Sequence, residues 1–322
     1  MKIIIPGGTG HLGSILTRHF RAAGHQVVVL SRNVEAHALV WDGRTLGPWA
    51  EAVDGADVVI NLAGRSVDTR YSPAKRAEIL QSRVDSTRII GEAIARAKQP
   101  PRVWLQASTA TIYAHTFAEP HDEYTGVIGG NEPDVPPSWR FSTDVAKAWE
   151  RAVDTASTPH TRRVKMRTSI VMSADRGGPF HAILRHLRLG FGRFGDGRQF
   201  MSWIHERDFI RAVEWLIEHE LEGAVNLASP NPLPNREFME ELQEAWGTPV
   251  SVPTIRPVLE VGAFLMRTEP ELVLKSRRVV PARLLQSGFT FDFPTWREAA
   301  RDLCAQKRGG ILQFEAASAS RW

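Results

Sequence analysis

The sequence predicts an α/β fold: a Rossmann-type, doubly wound parallel sheet with a smaller C-terminal α+β lobe. Three observations carry that expectation. An apolar β-branched run, Ile3 to Ile5, passes directly into a glycine-rich turn. Strand-like and helix-like stretches then alternate to about Leu189, the pattern of a parallel sheet with crossover helices. From Thr248 onward the alternation gives way to short elements punctuated by proline, which suggests a small lobe rather than more sheet.

The first stretch, KIIIPGGTGHLG from Lys2 to Gly13, sets the terms for the rest. Ile3 to Ile5 read as a buried strand. Glycines recur at Gly7, Gly10 and Gly13, and from Leu12 the apolar residues Leu12, Ile15, Leu16 and Phe20 share one helical face. Strand, glycine turn and helix together are the context in which a dinucleotide fingerprint counts. The early glycines permit a tight turn and close approach to a pyrophosphate, and Gly13 lets the helix pack on the strand. The helix N-terminus at His11 and Leu12 offers free N–H groups and a positive dipole end to phosphates. Gln26 to Leu30 is the second strand, followed at once by Ser31-Arg32. An acid at that point would accept from a ribose 2′-hydroxyl and favour NAD; Arg32 instead suits a 2′-phosphate, and predicts NADP.

Asp57 to Leu62 reads as the next buried strand, leading into Leu62-Ala63-Gly64, small residues suited to a backbone passing close to a cofactor. Ser72-Pro73 predicts a helix start, with helical periodicity to about Lys98 and a break within it. Arg83 in that helix reads as half of a buried structural pair rather than a substrate contact. Val103 to Ala107 predicts a further strand. Residues 114–140 are irregular, with several prolines and the acids Glu119, Asp122, Glu123, Glu132 and Asp134; a loop of that length in a compact domain is functional or mobile. A helix from Ser142 to about Ala156 carries Lys147 and Trp149. Val164 to Met172 reads as one strand, Gly177-Gly178-Pro179 as a helix start, Gly190 to Gly197 as a mobile glycine-rich segment, and Phe200 to Ile204 as a strand. Glu206 to Glu218 is an amphipathic helix, Ala224 to Ala228 a strand, and Asn235 a helix cap. The expected division is 1–175 with about 200–228 as the dinucleotide domain, 176–199 and 229–308 as a substrate-side lobe, and 309–322 as a loose tail.

Composition excludes several classes. Hydrophobic residues make up 43% and charged residues 24%, as in globular rather than disordered chains. The net charge of +4 is spread along the chain, and no recognition motif accompanies its basic clusters, so nucleic-acid binding is not expected. The single cysteine, Cys304, allows no internal disulfide and fits a reducing compartment. The chain opens on a strand without a signal-peptide pattern, and its longest apolar run, Val258 to Met266, is short of a span and broken by Glu260. A cytoplasmic protein is therefore expected; its expected partner is a small-molecule substrate, phosphate- or nucleotide-bearing ones included, and its expected state a monomer or homodimer. No HExxH or CxxC spacing points to a metal.

Several segments together resemble the extended, atypical short-chain dehydrogenase/reductase superfamily, and within it the YfcH-type epimerase-like proteins. They are GGTGHLG at the start, NLAG at Asn61 to Gly64, STATIYA from Ser108, Gly197-Arg198-Gln199 with Ser202 to His205, Trp149-Glu150 after the helix lysine, Val225-Asn226, and Pro281 with Gly288-Phe289 and Phe291 near the end. The resemblance implies a Ser or Thr after the fifth strand, a Tyr, and a Lys four residues after the Tyr. Hydride transfer at an alcohol carbon needs a matched proton transfer, and an unaided phenol with a pKa near 10 is a weak base at neutral pH. Thr109 takes the first position and Lys147 the third. The Tyr position is Thr143, whose hydroxyl has no accessible pKa. Tyr113, His205 or a carboxylate of the 114–140 loop are the candidate replacements. Arg198 and Gln199 read as ligand-facing, Arg198 suiting a phosphate or carboxylate, and Trp139 and Trp203 as platforms for a flat ligand. Three readings stay open: an NADP-dependent epimerase-like oxidoreductase with another acid–base group, a non-catalytic NADP(H) sensor, and a nucleotide-sugar epimerase or dehydratase with a displaced Tyr.

Overall fold

In a computed structural model, the structure describes residues 1–34, 37–67, 69, 71–133, 135–249, 251–254 and 271–319. The apolar run Val258 to Met266 and the loop acid Asp134 lie outside the described residues. The chain opens with β1 (Lys2–Pro6), α1 (His11–Ala22), β2 (Gln26–Ser31), β3 (Ala38–Val40) and β4 (Val58–Asn61). Next come α2 (Pro73–Arg96), β5 (Val103–Thr109), α3 (Arg140–Asp154) and β6 (Arg162–Thr168). After β6 the chain forms the short strands β7 (Ile170–Met172), β8 (Phe191–Phe194), β9 (Phe200–Met201) and β10 (Trp203–His205) around α4 (Pro179–Arg188), then α5 (Glu206–Glu218) and β11 (Gly223–Leu227). The chain continues through β12 (Leu233–Pro234), α6 (Asn235–Trp246) and β13 (Val252–Thr254). It ends in α7 (Glu271–Leu274), α8 (Ala282–Gln286) and α9 (Trp296–Ala319).

Seven strands form one sheet in the order β11-β6-β5-β4-β1-β2-β3, every pairing parallel. The order reverses between β1 and β4, the switch point at which open α/β sheets bind ligands beyond the carboxyl ends of their strands. Alternation along β1 explains why its apolar run is unbroken. Ile3 and Ile5 pack with Leu16 and Phe20 of α1 and Phe209 and Val213 of α5. Ile4, between them, faces the other layer with Ile89, Ile90 and Ile94 of α2. All three isoleucines are fully buried, each contributing about 1.5–3 kcal/mol from burial. Ser72 caps α2, accepting from Lys75 N at 3.3 Å, and α2 runs without the expected break.

Five local expectations are corrected. The stretch read as one strand from Val164 to Met172 is β6 and β7, which belong to different sheets. Phe200 to Ile204 likewise divides between β9 and β10. The glycine-rich segment contains β8, parallel to β13. The chain past Gly309 continues as helix to Ala319 rather than as a loose tail. Asn235 begins α6 instead of capping it, and its side-chain oxygen accepts from Phe194 N at 2.7 Å.

The C-terminal elements share cores with the rest. Leu284 and Phe289 join the α1–α5 layer of the sheet. Trp296, Leu303 and Cys304 of α9 pack with Phe238 of α6, Phe180 of α4 and Trp203 of β10.

Candidate functional site

Close backbone packing builds the turn after β1. Gly7 has φ +79°, a left-handed conformation that favours glycine. A Cβ there would lie 2.9 Å from Ala63 N and Leu62 C. A Cβ on Gly13 would lie 2.3 Å from the Gly7 carbonyl oxygen. The turn, the first turn of α1 and the Leu62-Ala63-Gly64 segment therefore meet closer than side chains allow. Buried Asn61 shapes that last segment: its Oδ1 accepts from Ala63 N at 3.1 Å while its Nδ2 donates to Gln106 at 2.9 Å. The first N–H groups of α1, at His11, Leu12 and Gly13, have no carbonyl one turn back within the helix, and no acidic residue sits in that turn. Together these make an anion-binding cradle. His11 flanks it, its Nε2 3.2 Å from Ser173 Oγ, and burial holds its pKa below the usual value.

At the β2 end, Ser31 is buried and its Oγ accepts from Asn33 N. Arg32 is exposed. The Glu78 carboxyl is held below its usual range, first by a Lys75 hydrogen bond and also by the charges of Arg65 and Arg32. Arg65, 3.5 Å from Glu78, is a second exposed cation in this corner. Sequence reading missed it because it lies between the NLAG segment and α2, where no motif marks it. Arg83 donates to the backbone oxygens of Arg65 and Ile79 and stacks over Trp149, a structural place built on backbone carbonyls, and burial pulls its pKa down to about 10.

At the far end of the cleft, β5 delivers Thr109 to the carboxyl edge of the sheet, beside Thr168 of β6. Its Oγ1 caps the short 3-10 turn Ala110–Ile112, accepting from Thr111 N at 3.1 Å. Thr143 and Lys147 lie one turn apart on α3, and both face Gly130. A Cβ added at Gly130 would be 3.1 Å from Lys147 Nζ and 3.5 Å from Thr143 Cγ2. Glu132 is the loop carboxylate at this place, accepting from Gly130 N and His115 N. Thr143 is fully buried. The group against its hydroxyl comes from the C-terminal segment: Lys275 Nζ lies 3.2 Å from Thr143 Oγ1, 3.3 Å from Thr111 O and 3.8 Å from Glu271. No spacing or periodicity in the sequence links Lys275 to this site.

The structure places other candidates elsewhere. The Tyr113 ring is buried and stacked on His121. Its hydroxyl donates to Asn226 and accepts from Arg167, and burial raises its pKa; the ring is packed just past the 3-10 turn Ala110–Ile112. His205 caps α5, its Nδ1 accepting from Arg207 N at 3.1 Å while Nε2 meets Asp302. Burial lowers its pKa to about 4, and it faces the packed interior. Trp203 is fully buried against Trp296 and presents no face to a ligand. Gln199 is buried too, donating to Phe194 O. Trp139 is half-buried and meets His115 edge-on. Arg198 stands over Phe117 and lines a cleft of about 290 Å³ with Phe200, Pro234, Glu237 and a second arginine, Arg236.

Residues 3–228 match the NAD dependent epimerase/dehydratase family, and residues 256–303 match a domain of unknown function, DUF1731. The chain is similar to the epimerase family protein SDR39U1 of Bos taurus, 30% identical over 95% of this chain and all of that one. It is also similar to an epimerase family protein of Mycobacterium tuberculosis, 31% identical over 92% of this chain and 95% of the relative. Among solved structures, human SDR39U1 (isoform 2), determined with NADPH, superposes with a TM-score of 0.82 at 28% identity, over 95% of this chain and 99% of that one. A Thermus thermophilus UDP-glucose 4-epimerase in complex with NAD, 18% identical with a TM-score of 0.71 over 96% of this chain and 99% of that one, shares the fold. Among the described residues, no helix is long and apolar enough to cross a membrane.

Proposed function

The chain belongs to the NAD dependent epimerase/dehydratase family, and from that premise we propose that it is an NADP(H)-binding, epimerase-like oxidoreductase that works without the usual tyrosine. The observation that carries this reading is the cradle in which neither Gly7 nor Gly13 has room for a Cβ, set at the N-terminus of α1. The backbone of Gly7 to Gly13 would hold the pyrophosphate, and Leu62, Ala63 and Gly64 would line the path beside it. Arg32 and Arg65 would meet a 2′-phosphate, a bidentate anion partner suited to guanidinium. Lys147 would hold the ribose on the nicotinamide side. When bound, the nicotinamide supplies or accepts hydride. Thr109, at the strand edge, positions a substrate oxygen by hydrogen bonding. Arg198 and Trp139, with Arg236, face a phosphate- or nucleotide-bearing substrate; a relative of the same fold is a UDP-glucose epimerase, which supports that class.

A second reading, a non-catalytic NADP(H) sensor, is favoured by one observation: the Tyr position is a buried threonine whose hydroxyl is already engaged by a buried cation. Titrating NADPH and NADH by cofactor fluorescence into wild type, Arg32→Ala and Arg65→Ala tests the shared core of both readings. NADPH binds wild type more tightly, by about 1.5–3 kcal/mol for a charge-assisted contact, and each substitution erodes the difference. Equal affinity for both cofactors in wild type would sink the assignment.

A further inference from the structure

The proton partner that Thr143 cannot be is supplied from the other end of the chain. We propose that Lys275, at the end of α7, is the group that exchanges a proton with the substrate's hydroxyl or carbonyl oxygen, a role that rests on the NADP(H)-dependent reading above. Its Nζ sits 3.2 Å from the hydroxyl of Thr143, the residue one turn before Lys147 on the same face of α3. It therefore takes up space that a tyrosine side chain at 143 would need. The chemistry it brings is the one that position lacks: a lysine ammonium gives up one of its three N–H protons on titration, whereas a threonine hydroxyl does not ionise near neutral pH. The amine is also held in place. Thr111 O accepts from it at 3.3 Å, and Thr111 lies in the 3-10 turn that Thr109 caps, so both groups share one support.

The charges around it come from every packed element. Glu271 on α7 lies 3.8 Å away, and Ser142 of α3 binds that carboxylate. Glu132 of the loop, Lys147 of α3 and Arg277 of the C-terminal segment act on it at longer range. His115 lies on the same side, its Nδ1 accepting from Ser276 N. Burial, more than any of these charges, brings the Lys275 pKa down to about 8, where an amine both gives and takes protons at working pH. In the reducing direction the Lys275 ammonium would give its proton to a carbonyl oxygen as the carbonyl carbon took up the hydride that a bound reduced nicotinamide would supply. The double bond becomes an alcohol and the amine is left neutral. Oxidation runs the same transfers in reverse.

Two measurements on the full chain test this. Lys275 is only 2% exposed, so it meets a substrate only where the cleft opens onto it; reductive methylation with ¹³C-formaldehyde reports that access, and Lys275→Arg identifies the Lys275 resonance by its loss. That resonance should titrate with a midpoint near 8 and shift when NADPH is added. A Lys275 that resists methylation, or a resonance that NADPH leaves unmoved, overturns the proposal. The second measurement is NADPH oxidation with phenanthrenequinone as the carbonyl probe. The wild-type rate should fall as pH rises through about 8. Lys275→Arg keeps the charge; once a melting curve verifies its fold, it should lose that inflection and at least tenfold in rate. An unchanged profile in Lys275→Arg, or no turnover by wild type, overturns the proton-exchange role. The NADPH titration is read separately, so loss of cofactor binding is distinguishable from a lysine that takes no part.

Discussion

Gly10 and Gly13 look alike in the sequence but differ in what surrounds them. A Cβ on Gly13 would meet the Gly7 carbonyl oxygen at 2.3 Å, whereas one on Gly10 has only that same oxygen at 3.3 Å. Gly13→Ala should therefore destabilise the fold by about 2–3 kcal/mol or more through forced backbone movement. Gly10→Val should fold with near wild-type circular dichroism and lose cofactor binding, because its side chain enters the space beside the cradle. A Gly10→Val protein that still binds NADPH would place the dinucleotide elsewhere. His205 gives a pH prediction. Its folded pKa, about 4, lies below an unfolded value near 6.5, so the unfolded chain binds the extra proton first. The stability that neutral His205 contributes is complete above about 6.5 and is lost as pH falls toward 4. His205→Asn, which can still cap α5, should flatten urea-derived stability across that window. A slope identical to wild type would show that the ring is not the titrating group.

Helix α3 is the element on which the site turns. It presents Thr143 and Lys147 on one face, so the missing tyrosine and the retained lysine affect the same volume. Lys147→Ala should weaken NADPH binding roughly tenfold, a loss of about 1.4 kcal/mol, while leaving the melting curve almost unchanged because the residue is half-buried and outside the core. Binding at wild-type strength would remove the cofactor from this face. Thr143→Tyr alone should not restore a tyrosine relay. The position is fully buried and its hydroxyl is against Lys275, so the ring must displace the amine. The expected result is a lower melting temperature, relieved when Lys275→Ala is added. Additive effects of the two substitutions would mean the side chains do not compete.

At the scale of the molecule, the C-terminal segment is not an appendage. Leu284 and Phe289 complete the core between α1 and α5, and α9 closes a second core with α4 and α6. Phe289→Ala should cost about 3–5 kcal/mol and lower the stability of the sheet along with that of the segment. Far-ultraviolet circular dichroism and tryptophan fluorescence should report one transition in both proteins; separate transitions would show independent units. NADPH at a hundred times its dissociation constant should raise stability by about 2.7 kcal/mol, visible as a higher melting temperature.

The sequence by itself determined the sheet and the cradle. β-branched runs, glycine spacing and amphipathic helices are local signals, and each is read within about a dozen residues; that is why β1, the turn and α1 emerged together. It also determined that a threonine, Thr143, stands where the family resemblance places a tyrosine, since that is a matter of residue identity. What only the tertiary structure decided is which polar side chains share a volume. Tyr113, His205 and Trp203 stand beside motif residues in the chain, but the packing of α9 encloses His205 and Trp203, and stacking on His121 with bonds to Asn226 and Arg167 holds Tyr113 in the interior. Lys275 and Arg65 carry no motif, yet chain folding brings one against Thr143 and the other to Glu78, on which Arg32 also acts. Burial and long-range proximity set the protonation of such groups, and neither has a local signature.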